Sequence, residues 1–189
     1  MEPTRSLRLH NRHTGETLDL RRSRRGGETV LELNGTLPPQ QEGPPLHIHN
    51  REDEEGRVIA GVLSAQIGGR RVEARPGESV RLPRGVPHRW WNASDLPLAF
   101  EGVASPLVDL DRYLHAVFEV LNAGPADRPP LFYLAHLSLR HRHTQRVLLV
   151  PPVVQTVLFP ALVALGNALG RYRGDAWPGA PARATGAPE

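Results

Sequence analysis

The sequence predicts a mainly β domain, a sandwich or barrel, that carries a helical C-terminal extension. Three observations lead to this class. Up to about residue 105 the chain alternates short apolar and polar runs, broken repeatedly by Gly and Pro. Gly (18) and Pro (19) are abundant among the 189 residues, which favours many turns over a helical bundle. Past residue 105 the apolar residues gather into longer runs with helical spacing. The length suits one domain with an extension and is ample for a packed core.

The elements follow in order. Strands are expected at Leu7 to His10 and Thr17 to Leu20, flanking the turn signal His13-Thr14-Gly15. Thr29 to Leu33 alternates, and Asn34-Gly35 after it reads as a turn. Further strands are Leu46 to His49, Arg57 to Ile67, Arg70 to Ala74, Ser79 to Leu82, His88 to Trp91 and Leu96 to Val103. Gly68-Gly69 and Arg75-Pro76-Gly77 supply turns between them. Pro106 to Gly124 reads as a helix with Ser105 as its cap, Leu110, Leu114, Val117 and Leu121 on one face, and Gly124 as its stop. Leu131 to His143 is a second helix, and Pro152 to Leu169 a third, kinked at Pro160. The expected organisation is a barrel over residues 1–105, a helical extension over 106–173 and a disordered Pro/Gly/Ala tail over 174–189.

Composition removes several function classes. With no Cys there is no disulfide framework, thiolate metal site or cysteine nucleophile, so a metal must be held by His and carboxylates. All 23 basic residues are Arg, against 20 acidic residues, so the net charge is only +3 despite a pI of about 10.1. The high pI reflects the persistent charge of Arg and not a strong field at neutral pH. The cluster Arg21-Arg22-Ser23-Arg24-Arg25 has no interleaved aromatics and is expected to be a solvated loop; no nucleic-acid partner is expected. No apolar leader follows Met1, and a cytoplasmic protein is expected. Residues 147–170 contain no charge and are long enough to cross a bilayer. Pro151, Pro152 and Pro160 interrupt them, so a helix laid on the barrel or across a homodimer partner is preferred to a membrane span.

The chemistry concentrates between Gly43 and Asn92. His47 and His49 are two apart, so a strand places both rings on one face, a ready pair of metal ligands. Glu54 follows after a short turn and can add a carboxylate oxygen. In an antiparallel roll, His88 can face the first two rings from another strand. The acidic run Glu52-Asp53-Glu54-Glu55 leaves the register open between Asp53 and Glu54 as the ligand. Trp90 shares the parity of His88, so it faces inward while Trp91 faces out. Arg81, Arg84 and Arg89 offer a carboxylate clamp, though solvation is their ordinary role. A second metal site at His136, His141 and His143 is disfavoured by its cationic setting.

These residues resemble the two signature motifs of the cupin superfamily. His47, His49, Glu54 and Gly61 fit the first; Gly77, Pro83, Gly85, His88 and Asn92 fit the second, after a fifteen-residue spacer. The resemblance implies a small single-domain cupin jelly-roll of the quercetin dioxygenase-like type, with a helical C-terminal extension. It implies one divalent metal ion (Fe, Mn, Ni or Zn) held by His47, His49, Glu54 and His88, with Glu54 also moving a proton. Two positions depart from the pattern. Gln41 stands where the family has an opening Gly, and Gly56 stands where an aromatic is common. The pocket, shaped by Gly56, Val58 and Trp90, is therefore expected to be wide near the metal. The function expected is a mononuclear metal-dependent oxygenase acting on a small oxygen-rich organic substrate. The alternatives are a non-catalytic metal-dependent ligand-binding or sensor module, or an isomerase or lyase acting on a sugar or keto acid.

Overall fold

Alternation in the strands builds the first layer. In Leu98–Ser105, residues Leu98, Phe100, Gly102 and Ala104 are buried and their neighbours are not, as period-two side-chain placement requires. The computed structural model describes residues 6–172. In chain order it has β1 (Leu7–His10), β2 (Thr17–Arg25), β3 (Glu28–Leu37), β4 (Gln41–Glu42), β5 (His47–His49), β6 (Asp53–Ala60), β7 (Leu63–Ile67), β8 (Arg70–Ala74), β9 (Ser79–Leu82), β10 (His88–Asn92) and β11 (Leu98–Ser105). There follow α1 (Leu110–Ala123), α2 (Leu131–Arg140), β12 (Gln145–Val147) and α3 (Phe159–Ala168). One antiparallel sheet runs β1-β2-β3-β11-β6-β9 and the other β12-β5-β10-β7-β8, with β4 beside β10. The two sheets make a jelly-roll whose core holds Leu20, Leu31, Leu37, Val58, Leu98 and Phe100.

Several elements depart from the sequence expectation. Asn34-Gly35 is not a turn: both residues lie inside β3, and the chain reverses at Gly26-Gly27, both with positive φ. A Cβ at Gly35 would overlap the Phe100 ring, so this glycine makes room for packing across the barrel. The basic cluster Arg21–Arg25 is not a loop but the second half of β2. Its charge is spent locally. Glu32 on β3 meets Arg21, Arg25 (2.8 Å) and Ser23 (2.9 Å), and Asp111 on α1 meets Arg22 at 2.6 Å. The long strand expected at 57–67 breaks at Gly61, whose φ is +76° and whose Cβ would lie 2.5 Å from the Pro97 carbonyl.

The C-terminal half closes the open side of the roll. The β1–β2 turn docks on the end of α1: Arg12 donates to the Gly124 carbonyl (2.6 Å), and His13 Nε2 lies 3.0 Å from the Leu121 carbonyl. α2 ends at Arg140, three residues before the expected stop, because the chain turns back to form β12 beside β5. The helical extension thus also adds a strand to the barrel, in the stretch between its second and third expected helices. In the third helix a π-helical turn, Val154–Leu158, precedes Pro160, which has no N–H for the Thr156 carbonyl. Among the described residues no helix is long and apolar enough to cross a membrane. The tail expected over 174–189 lies outside them.

Candidate metal centre

β5 is only three residues long, and all three are buried. Its pairing with β10 sets His47 opposite His88, and the His47 and His49 rings project to one side as their spacing requires. The three rings meet. Centroids lie 4.8 Å apart for His47–His49, 4.4 Å for His47–His88 and 5.1 Å for His49–His88. One ligand nitrogen from each falls within 4.8 Å of the others.

The hydrogen bonds fix which nitrogens face inward. His47 Nδ1 donates to the Pro45 carbonyl (2.7 Å), and His88 Nδ1 donates to the Val86 carbonyl (2.9 Å). A carbonyl only accepts, so both rings carry their proton on Nδ1 and leave Nε2 bare when neutral. His88 Nε2 is buried with no hydrogen-bond partner, and His47 Nε2 sits 3.0 Å from His49 Nε2. Burying unpaired basic nitrogens this close is costly unless a further group binds them. A divalent cation fits that donor set: neutral imidazoles, each with its second nitrogen anchored.

Glu54, on β6, stands beside the cluster with Oε2 3.4 Å from His49 Nε2. Burial would raise its carboxyl, but the charge of His49 and the contact with it outweigh this and hold it at about 2. His49 is the complement. Burial lowers it, yet the Glu54 charge and contact lift it above its ordinary value. His47 falls to about 3, first through burial and then through the charges of His49 and His88; His88 is lowered for the same two kinds of reason. Burial thus favours the neutral form of His47 and His88, while Glu54 draws positive charge toward His49. Asp53, the alternative carboxylate, faces away and accepts from the Arg84 backbone (2.9 Å) and its Nε (3.0 Å).

A cavity of about 660 Å³ is lined by His47 and His49 and by residues of both sheets, α1 and α2. Gly56 and Trp90 line it, and Trp90 packs edge-on against Phe100 at 5.0 Å. Space is open at Gly56, where a Cβ would meet nothing closer than the Glu101 carbonyl at 4.0 Å. Val58 is not a lining residue; it is fully buried in the core. Trp91 faces the other way, beneath the guanidinium groups of Arg89 (4.9 Å) and Arg71 (5.3 Å). His141 is taken by Asp109 at 2.7 Å, and His143 is 3.5 Å from the same carboxylate, so neither converges with His136 on a metal.

Two residues near the rings escape sequence reading. Gln145 on β12 lies opposite His49, with its amide 3.2 Å from His49 Nδ1. The amide serves either tautomer, donating to a bare Nδ1 or accepting from a protonated one. Glu52 is fully buried and accepts from the Val108 N–H (3.1 Å); burial raises its carboxyl, and its charge reaches His49. Asp109 holds this arrangement together, accepting from Thr144 at 2.5 Å next to Gln145.

Residues 34–104 match the protein family described as Cupin domain. A 94-residue stretch is 36% identical to Oxidoreductase iacF of Pestalotiopsis fici, covering 48% of this chain and 46% of that protein. The chain thus spans about half the length of this curated relative. Among solved structures it is similar to a predicted oxalate decarboxylase from Thermotoga maritima, with 21% identity, TM-score 0.44 and coverage of 55% of this chain and 94% of that one. It is also similar to KdgF from Halomonas sp., with 17% identity, TM-score 0.41 and coverage of 50% and 83%.

Proposed function

Since this chain belongs to the cupin superfamily through residues 34–104, we propose that it is a mononuclear metal-dependent oxidoreductase of the oxygenase type. The observation that carries the reading is the convergence of three buried imidazoles, one with an unpartnered Nε2, of which His47 and His49 line a mostly apolar cavity. The oxidoreductase name of the curated relative supports it. His47, His49 and His88 would hold the ion through Nε2, with Glu54 as the adjoining carboxylate. A bound divalent metal supplies a Lewis acid and, if it is Fe or Mn, a route for electrons.

The chain's own residues do the rest. Glu54 adjoins the rings, with Oε2 3.4 Å from His49 Nε2, where it would accept a proton from a substrate group brought to them. The open space at Gly56 admits a substrate wider than an aromatic at that position would allow. Trp90 and Phe100 wall the cavity, and the apolar face of α1 keeps water from the reacting end. Gln145 orients His49 from behind. The substrate is an organic molecule with an oxygen to face the rings and an apolar body, a refinement of the oxygen-rich compound expected at first.

Dioxygen uptake separates the readings. Protein loaded with Fe(II) or Mn(II) is given candidate enols and phenols in an oxygen electrode. The proposal expects substrate-dependent consumption that His88→Ala abolishes. Tight binding of such compounds with no consumption for any metal would make the protein a ligand-binding module instead.

A further inference from the structure

The cavity has a second end, remote from the imidazoles. α1 presents Leu110, Tyr113, Leu114, Val117, Phe118 and Leu121 to it, a single stripe at helical spacing. The start of that stripe is tied to the rings through Asp109, Thr144 and Gln145. Its other end is tied to the β1–β2 turn. His13 meets the Leu121 carbonyl, and Asn11 Nδ2 donates to Asp127 at 2.8 Å just past the helix. From Leu110 to Leu121 the helix advances about 16 Å at roughly 1.5 Å per residue.

Glu16 stands at that far end, immediately before β2. It is 8% exposed and lines the cavity. Its backbone is satisfied, with the N–H donating to Thr14 Oγ1 (3.2 Å) and the carbonyl accepting from Asn11 (2.9 Å). Among the described residues nothing hydrogen-bonds its carboxyl. Burial, helped by the charge of Asp127, pushes that carboxyl up to about 7, and no cation offsets the rise. A carboxyl open only to an apolar cavity, with no protein partner, is destabilising where an apolar side chain would not be. Its placement is accounted for if a ligand completes the hydrogen bond.

We infer that Glu16 is the distal recognition group of this cavity, taking the hydrogen-bond-donating tail, a hydroxyl or an amine, of an elongated ligand. The ligand's apolar body lies along α1 and its oxygen head reaches the imidazoles. The placement of the head rests on the metal reading above; the contact with Glu16 does not.

Calorimetric titration of the Zn-loaded full chain with dodecanoate and ω-hydroxydodecanoate tests this. The hydroxylated probe binds the wild type roughly three- to tenfold more tightly. Glu16→Leu removes that preference by weakening only the hydroxylated probe, and Glu16→Gln, which keeps a donor and an acceptor, retains it. Equal affinities in the wild type, no binding of either probe, or a preference unchanged in Glu16→Leu overturns the assignment. Metal uptake measured in parallel keeps the two readings apart. A preference that survives in protein taking up no metal supports Glu16 and sinks the metal site alone. A preference absent from protein that takes up metal normally sinks Glu16 alone.

Discussion

Glu16 is a residue whose environment has a consequence measurable without any ligand. Its carboxyl moves from the ordinary 4.5 to about 7 on folding, through burial and then the charge of Asp127. A raised folded-state value means that the fold favours the protonated acid. The stability this group permits is therefore fully present below pH 4.5 and is lost as pH rises to about 7. Glu16→Gln should leave urea stability unchanged near pH 4 and raise it above pH 7, by an amount on the order of 3 kcal/mol. Equal variant and wild-type stabilities at both pH values would show that the carboxyl is solvated. Nothing in the sequence marks Glu16, which sits among turn residues with no motif around it. His47 and His49 are the opposite case: a two-residue spacing on a strand dictates one face, whatever the rest of the molecule does. Parity has its limit at Val58. It gives the side of the sheet and not the depth along it, and Val58 lies inside the packed core.

At the scale of elements, the strands announced by Gly and Pro were readable, and those depending on distant partners were not. Gly68, Gly69 and Gly77 have positive φ and punctuate the chain where the sequence places breaks. Gly35 misleads because it is small for the sake of Phe100, not flexible for a turn. β12 was hidden for a different reason. Three residues, Gln145–Val147, become a strand only because β5 offers them an edge. That pairing gives the C-terminal extension a direct hand in the site, since it delivers Gln145 to His49 across 96 positions of sequence. Gln145→Ala is expected to weaken Zn(II) binding by roughly ten- to hundredfold while the far-ultraviolet circular dichroism stays the same. Unchanged affinity in a competition titration would reduce Gln145 to a packing residue.

For the whole molecule, charge and apolar surface are distributed so that one cavity is left. The Arg cluster that raises the pI is drawn into ion pairs along β2, which ties the barrel to α1 through Asp111. α1 then roofs the space between the sheets with its apolar face, so that His47 and His49 open into a mostly apolar cavity. The barrel and its cluster of three imidazoles were legible because the spacing of the motifs is local to Gly43–Asn92. The roof, the far acid and the added strand were not, because each depends on how residues beyond 105 fold back. The proposed chemistry requires that His47, His49 and His88 bind a metal together. Elemental analysis of the purified chain beside His47→Ala tests that most directly, with circular dichroism to show that both are folded. One divalent ion per wild-type chain is expected, and almost none in the variant. Equal metal in both, or none in the wild type after exposure to Fe, Mn, Ni and Zn, would contradict it.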